Sequence, residues 1–262
     1  MEKNKLEKEP KQISGLSNIV HSNYEEKKNQ KKLVELLKNS PLPDNELLAN
    51  LGLYITSKNL SRLLFFYEIY KKIVEMHGVI MEFGTRWGQT TSVLSALRGI
   101  FEPFNRTRKI IGFDTFSGHL GMSEKDGRAH RCVDGSYGVQ KKYEKYLEQI
   151  LKLQERLNPI SHLKKFELVK GDVVQTLPQY LKRHQETIIS LAVCDMDLYN
   201  PTKAVLKIIH PYLCKGSILV FDELCDDIFP GETVALTDAL NIRKLKIRRL
   251  PMTSRLAYVE IK

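Results

Sequence analysis

Five short apolar segments between residues 79 and 223 alternate with segments of helical character, and each carries an acidic residue at or near its end. Apolar runs of this length, separated by helices, predict a parallel sheet built from strand–helix units. The five predicted strands are 79–83, 109–114, 166–172, 187–197 and 217–223. Two further strand-like segments, at 244–252 and 254–262, lie close enough to form a hairpin. The sequence therefore predicts an α/β, Rossmann-like fold with a mostly parallel sheet, a C-terminal antiparallel hairpin and helices on both faces.

The N-terminal part of the chain differs from the rest in composition. Residues 1–50 are dense in charge and predict a partly disordered arm followed by a helix near 31–38, whereas 51–262 form the main domain. An amphipathic helix is expected at 58–76. The start of the chain lacks the apolar core of a secretory signal, and no apolar run approaches the ~20 residues of a membrane span. We therefore expect a cytoplasmic protein without a membrane segment.

Four acidic residues end the fourth and fifth predicted strands. Asp195 and Asp197 are two positions apart, and Asp222 and Glu223 end the neighbouring segment. Residues two apart on a strand point the same way, and parallel strands end at one edge of the sheet, so these carboxylates are expected to converge. Converging carboxylates repel unless a cation joins them, and oxygen ligands without cysteine or histidine suit Mg²⁺, Ca²⁺ or Mn²⁺. The alternative is that two or three of them cap helices or pair with lysines.

The first three predicted strands end in residues suited to a nucleoside ligand. Glu82, Gly84 and Gly88 belong to a turn in which the backbone can approach a ligand closely, because glycine has no Cβ. Asp114 would accept hydrogen bonds from both ribose hydroxyls, and Asp172 would either face an adenine or cap the following helix. The turn is not a GxGxxG motif, so it does not indicate a dinucleotide pyrophosphate or a nicotinamide-dependent oxidoreductase.

A long polar segment, 117–139, separates the second strand from a charged helix predicted at 141–157. Loops this long in compact domains are usually either functional or disordered. We interpret 117–139 as a mobile flap over the site. It contains His119 and His130, which are either proton-transfer residues or exposed polar side chains.

Four motifs in a fixed order carry a family resemblance. They are GVIMEFGTRWGQTTSVL, IIGFDTFSG, CDMDLYNPTKAVL and VFDEL. From about residue 50 to the C-terminus, the chain resembles the macrocin O-methyltransferase family of metal-dependent sugar O-methyltransferases that use S-adenosylmethionine. The resemblance implies a seven-stranded class I methyltransferase fold, whose reversed last strand agrees with the predicted hairpin. It also implies methyl transfer to a hydroxyl of a small, sugar-containing acceptor, such as a nucleotide-linked or polysaccharide sugar.

The family's motifs imply roles for individual residues. Asp195, Asp222 and Glu223 match the metal ligands, with Mg²⁺ the expected ion, and Asp197 matches a proposed general base. Family members often carry aspartate where Glu223 stands, and the extra methylene moves that carboxylate. The segment 117–139 matches a lid that closes over substrate. The residues expected to contact S-adenosylmethionine are Glu82, Gly84, Thr85, Gly88, Asp114, Thr115, Asp172 and Asp195.

The charge distribution leaves other interpretations open. The net charge is +10, and residues 241–262 carry seven basic side chains against Glu260 alone. A basic end favours an anionic acceptor or a nucleic acid, or else it is the solvated face of an edge hairpin. A nucleic-acid methyltransferase is disfavoured because Asp-Met-Asp-Leu-Tyr stands where amino-directed enzymes carry Asn-Pro-Pro-aromatic. A non-catalytic S-adenosylmethionine-binding scaffold is disfavoured by the intact glycines and acids, and the N-terminal helices would suit a homo-oligomer contact.

Overall fold

The computed structural model describes residues 23–127 and 133–262. These residues belong to two compact units, one ending at Leu60 and the other running from Ser61 to Lys262. The disordered part of the arm predicted at the N-terminus falls largely before residue 23, outside the described residues.

Eight α-helices are present in the described ranges. In chain order they are α1 (Tyr24–Lys38), α2 (Asp44–Leu47), α3 (Ser57–Ile73), α4 (Gln89–Phe101), α5 (Tyr143–Arg156), α6 (Val173–Arg183), α7 (Tyr199–Ile209) and α8 (Gly231–Ala239). Helix α1 begins well before the predicted 31–38, because Asn23 and Glu26 form a capping box in which each side chain accepts from the other's amide. No helix in the described part of the chain is long and apolar enough to cross a membrane.

The second unit contains one seven-stranded sheet. Its strands are β1 (Val79–Phe83), β2 (Ile110–Asp114), β3 (Phe166–Lys170), β4 (Ile189–Cys194), β5 (Leu213–Phe221), β6 (Ile247–Arg249) and β7 (Ala257–Glu260). The spatial order is β3-β2-β1-β4-β5-β7-β6, in which β1 to β5 run parallel and β7 is antiparallel to both β5 and β6. The predicted mostly parallel sheet with an antiparallel C-terminal hairpin is confirmed, although both hairpin strands are shorter than 244–252 and 254–262.

Alternate side chains of the strands pack on opposite faces of the sheet. Met81 and Phe83 of β1 pack with side chains from α6, α7 and α8, whereas Ile80 of β1 and Leu191 of β4 pack with side chains from α3 and α4. Helices cover both faces, as predicted, because each face of a buried parallel strand needs an apolar layer above it. The carboxyl ends of β1 to β5 lie at one edge of the sheet, because these strands run parallel.

Strands β3, β4 and β5 stop before the acidic residues that were predicted to end them. The prediction that Asp195 and Asp197 lie on one strand and point the same way is therefore wrong. The backbone of Asp197 has φ of +61°, in the left-handed region that a strand does not use. The amide of Met196 is also removed from the strand ladder, because it donates to the carboxylate of Glu232.

Candidate active site

The candidate site lies where the strand order reverses. Strands β2 and β3 extend the sheet on one side of β1, while β4 and β5 extend it on the other. Open α/β sheets bind ligands beyond the carboxyl ends of their strands at such a reversal. The residues predicted to bind the cofactor follow β1, β2 and β3, and those predicted to bind metal follow β4 and β5.

The glycine turn after β1 packs directly on the end of β4. Gly84 has φ of +97°, and a Cβ at this position would lie 1.7 Å from the carbonyl oxygen of Asp195. Gly88, with φ of +77°, precedes α4, and a Cβ there would collide with the side chain of Leu147. Thr85 between them is buried, and its Oγ1 has no hydrogen-bond partner among the described residues. The turn therefore depends on glycine at both positions.

Asp114, the last residue of β2, holds this turn. Its Oδ2 accepts from the amide of Arg86 at 2.6 Å, and its Oδ1 accepts from the amide of Phe116 at 2.5 Å. Burial raises the pKa of Asp114, while these two hydrogen bonds lower it. Each carboxylate oxygen can accept a second hydrogen bond, so the side chain keeps capacity for ribose hydroxyls. The hydroxyl of Thr115, by contrast, is used locally and donates to the carbonyl of Gly118 at 2.8 Å.

Asp172 is the N-cap of α6. Its Oδ1 accepts from the amide of Val174 at 2.9 Å, which is the capping alternative that the sequence left open. The amide of the preceding residue, Gly171, donates to the carbonyl of Asp114 at 2.9 Å. The cap therefore lies beside the end of β2, on the same side of the site as the predicted ribose contact.

Glu82 is a buried acid within β1, with 1% of its surface exposed. Thr91 of α4 donates a hydrogen bond to its Oε2. Burial raises the pKa of Glu82 from 4.5 to about 7, against the lowering effect of Thr91 and of the charge on Arg62. Near neutral pH this carboxyl is therefore partly protonated, and a positive charge bound next to it would favour its ionised form.

Glu82 is expected to make the stability of the protein depend on pH. Because its pKa is higher in the folded protein than in the unfolded chain, its stabilising contribution is complete below about pH 4.5 and is lost as the pH rises through about 7. One pKa unit corresponds to about 1.4 kcal/mol, so the shift from 4.5 to about 7 should lower the free energy of unfolding by roughly 3 kcal/mol over this pH range. Urea unfolding at about pH 5 and about pH 8 would measure it. The Glu82→Gln variant should lack this loss, and parallel pH dependence in both proteins would contradict the assignment.

A single arginine joins the two aspartates that follow β4 and β5. In Arg62 of α3, Nη2 lies 2.8 Å from Oδ2 of Asp195, and Nη1 is hydrogen bonded to Oδ1 of Asp222. Nη2 also donates to Oγ1 of Thr90 at 3.1 Å, and the guanidinium lies 5.4 Å from the centre of the Phe66 ring. The two carboxylates thus converge on a guanidinium. Within residues 23–127 and 133–262, no three His, Cys, Asp or Glu side chains are grouped so as to hold a metal ion.

Glu223 faces a different arginine. Its Oε1 pairs with Arg255, which precedes β7 and whose Nη2 also lies 3.8 Å from Oδ2 of Asp222. The side chain of Glu223 is almost fully buried, and its Oε2 has no hydrogen-bond partner in the described part of the chain. Arg255, one of the basic residues of the C-terminal segment, therefore contacts acidic residues of the site.

Asp197 contacts the segment 117–139, and its charge also raises the pKa of Asp195. Nε2 of His119 is 3.2 Å from Oδ2 of Asp197, while Nδ1 of His119 is buried with no partner among the described residues. The backbone conformation of Asp197 is uncommon for a residue other than glycine, and such conformations cluster at functional sites. The structure thus brings one candidate proton-transfer histidine to the proposed base, whereas His130 lies outside the described residues.

Part of the predicted flap is anchored to the main domain. Asp126 is fully buried and accepts a hydrogen bond from the amide of Tyr199 at the start of α7. Next to it, Nζ of Lys125 lies 3.0 Å from the carboxylate of Asp238 in α8. These contacts place this part of 117–139 beside the loop that follows β4.

Two residues that organise the site were not found from the sequence. Glu232 is fully buried, and its carboxylate accepts from the amides of Met196 and Glu223, each at 3.2 Å. It therefore ties the loop after β4 to the loop after β5. Arg62 is the other, one helical turn before the buried Phe66. A charged residue on the apolar side of a helix was the available signal in both cases, since such residues are rarely buried without a partner.

Three solved structures similar to this chain, two of CalS11 and one of NovP, are named as methyltransferases. CalS11, a calicheamicin methyltransferase, is 38% identical and aligns with a TM-score of 0.90 over 97% of this chain and 99% of that chain. An apo structure of CalS11, named a TDP-rhamnose 3'-O-methyltransferase of calicheamicin biosynthesis, aligns with a TM-score of 0.82 over 94% and 98%. The O-methyltransferase NovP shares the fold, with 15% identity and a TM-score of 0.59 over 78% and 80%. No protein-family model and no curated protein matches the chain.

Proposed function

The chain belongs to the macrocin O-methyltransferase-like family of class I sugar O-methyltransferases, and from this premise we propose that it transfers the methyl group of S-adenosylmethionine to a hydroxyl of a sugar-containing small molecule. The observation that carries the proposal is the 38% identity to CalS11 over 97% of the chain. CalS11 is named for action on TDP-rhamnose, so a nucleotide-linked sugar is the acceptor class that we infer. The net charge of +10 supports an anionic acceptor of this kind.

The turn after β1 and the end of β2 support the cofactor part of the proposal. Gly84 and Gly88 let the turn pack closely against Asp195 and Leu147, and Asp114, which binds the turn through the amide of Arg86, retains acceptor capacity for the ribose. Glu82 is poised to ionise when the positively charged methionine portion of the cofactor binds nearby. In this proposal Asp172 contributes through the loop that it caps, and Thr85 and Thr115 belong to the walls of the same site.

We also propose a divalent cation, with Mg²⁺ the expected ion, held by Asp195 and Asp222 with Glu223 beside them. The donor set suits a hard ion, because it offers only oxygen and because two carboxylates already converge on one positive group. The buried, unpartnered Oε2 of Glu223 is a further oxygen at this position. When bound, such an ion would supply Lewis-acid polarisation of the acceptor hydroxyl.

Asp197 is the proposed proton acceptor. A sugar hydroxyl is a weak nucleophile, so a carboxylate within hydrogen-bond reach would assist its attack on the methyl group. With Nε2 protonated, His119 would donate to Asp197 and hold the carboxylate in one orientation. The segment 117–139, which supplies His119, would exclude water and fix the acceptor in line with the methyl group.

Calorimetric titration with S-adenosylhomocysteine tests the cofactor site. The Asp114→Ala variant should bind about 10- to 100-fold more weakly, because a hydrogen bond to a charged group contributes about 1.5–3 kcal/mol. Asp227→Ala, which removes an exposed acid from the loop after β5, is the matched control and should bind normally. Mass spectrometry of nucleotide-linked sugars incubated with labelled S-adenosylmethionine would then identify the acceptor. A wild-type protein that does not bind the cofactor product would refute the proposal.

A further inference from the structure

Arg62 occupies the space between the two aspartates that we propose as metal ligands. Its two terminal nitrogens are bound to different carboxylates, Nη2 to Asp195 and Nη1 to Asp222. The oxygens involved are Oδ2 of Asp195 and Oδ1 of Asp222, and both face the same planar group. A guanidinium presents such a fork of donors, so one arginine can neutralise two carboxylates that would otherwise repel each other.

The surroundings of Arg62 favour this position. The guanidinium has a third partner in Thr90 and lies over the ring of Phe66, and less than a quarter of the side chain is exposed. Burial alone would lower the pKa of Arg62, but the charges of Asp222 and Asp195 raise it above its ordinary value. Arg62 is therefore held by the carboxylates as a fixed positive charge.

A divalent cation and Arg62 cannot use these oxygens at the same time. Carboxylate oxygens contact Mg²⁺ or Ca²⁺ at roughly 2.0–2.6 Å, about the same place that the nitrogens of Arg62 occupy. Two positive charges a few ångströms apart in a partly buried site repel strongly. Glu223, 3% exposed and with an unpartnered Oε2, stands beside the two aspartates and is not bonded to Arg62 in the described structure. Oε2 of Glu223 is therefore an oxygen that Arg62 does not use and that a metal ion could contact.

We propose that Arg62 is an exchangeable resident cation, which holds Asp195 and Asp222 together in the metal-free protein and is displaced when a divalent cation binds. The inference rests on the metal site of the proposed function. Arg62 preserves the geometry of the site without metal and lowers the apparent affinity for metal, since part of the binding energy is spent on breaking its two ion pairs. In this proposal Arg62 sets the metal affinity of the site.

Binding of Mn²⁺ to the purified protein, followed by electron paramagnetic resonance of the free ion, tests the exchange. The Arg62→Gln variant should bind Mn²⁺ about tenfold more tightly than the wild type, because the charge that bridges Asp195 and Asp222 is gone while the carboxylates remain and Arg255 is unchanged. Lys71→Gln is the matched control, since it removes one positive charge from the same helix, where Lys71 pairs with Glu68 at 3.2 Å. It should bind Mn²⁺ as the wild type does.

The outcomes separate this inference from the proposed function. Equal or weaker Mn²⁺ binding by Arg62→Gln than by Lys71→Gln would overturn the exchange. If neither the wild type nor Arg62→Gln binds Mn²⁺ while both still bind S-adenosylhomocysteine, the exchange is also overturned, but the methyltransferase proposal stands. If Arg62→Gln does not fold, Arg62→Lys should show the same direction of change, because lysine keeps the charge but cannot bridge both carboxylates. Mn²⁺ should also raise the unfolding temperature of the variant more than that of the wild type.

Discussion

Replacing Gly84 with alanine is expected to cost more than about 4 kcal/mol of stability, the range reserved for severe backbone or packing damage. The added Cβ would lie 1.7 Å from the carbonyl oxygen of Asp195, and this atom belongs to the backbone. It cannot move aside by a rotamer change, so β1 and β4 would have to separate at the site. The left-handed φ of +97° adds a further penalty for alanine. Urea unfolding of the purified variant is the measurement.

The control for Gly84→Ala is Gly121→Ala. Gly121 has φ of +72°, but a Cβ there meets nothing within 4 Å, so this variant carries the conformational penalty without the collision. Its expected cost is about 1–2 kcal/mol. If the two variants were destabilised to the same extent, the close approach of the turn to β4 would not be the reason that glycine is needed.

Replacing Asp197 with asparagine is expected to lower the methyl-transfer rate by about 10²- to 10⁴-fold, the usual contribution of a general base. Asparagine keeps the size of the side chain and still bonds His119, but it cannot accept a proton from the acceptor. Binding of S-adenosylhomocysteine should be unchanged, because Asp197 lies on the flap side of the site and contacts His119. Single-turnover rates with the acceptor identified by mass spectrometry would measure the loss.

Two further variants limit the interpretation of Asp197→Asn. Asp227→Asn, in an exposed position of the loop after β5, should transfer methyl groups at the wild-type rate. His119→Gln should lose less than Asp197→Asn, since it removes an orienting hydrogen bond and leaves the proton acceptor in place. A normal rate for Asp197→Asn would assign proton acceptance to another group and remove Asp197 from the mechanism.

The succession of strands and helices along the chain followed from local patterns. Strands β1 and β2 end close to where the apolar runs end. A glycine turn interrupts the first run, and an acidic residue ends the second. The end of β4 was placed too late, because Met196 continues the alternation of apolar and polar residues. The left-handed backbone at Asp197 stands beside two long-range contacts, that of Glu232 with the amide of Met196 and that of His119 with the carboxylate of Asp197, and no local pattern encodes these contacts.

The identity of the cation at the two aspartates could not be predicted from spacing. Arg62 is 133 residues from Asp195 in sequence, so the pair forms only when α3 packs on the sheet. Carboxylates that converge need a positive charge, but a metal ion and an arginine meet that need equally well at the level of sequence. Asp172 shows the same ambiguity on a smaller scale, because an aspartate after a strand suits both a ligand contact and the helix cap that it forms.

The carboxylate of Glu232 connects two loops of the site, those that follow β4 and β5. Because the buried carboxylate of Glu232 accepts hydrogen bonds from the amides of both Met196 and Glu223, the loops after β4 and β5 are expected to move together. A substitution that shifts one loop would displace the other, and with it the acidic residues that both loops carry. These two loops are therefore expected to tolerate few substitutions. We therefore expect a change of acceptor in related proteins to arise from substitutions outside these two loops.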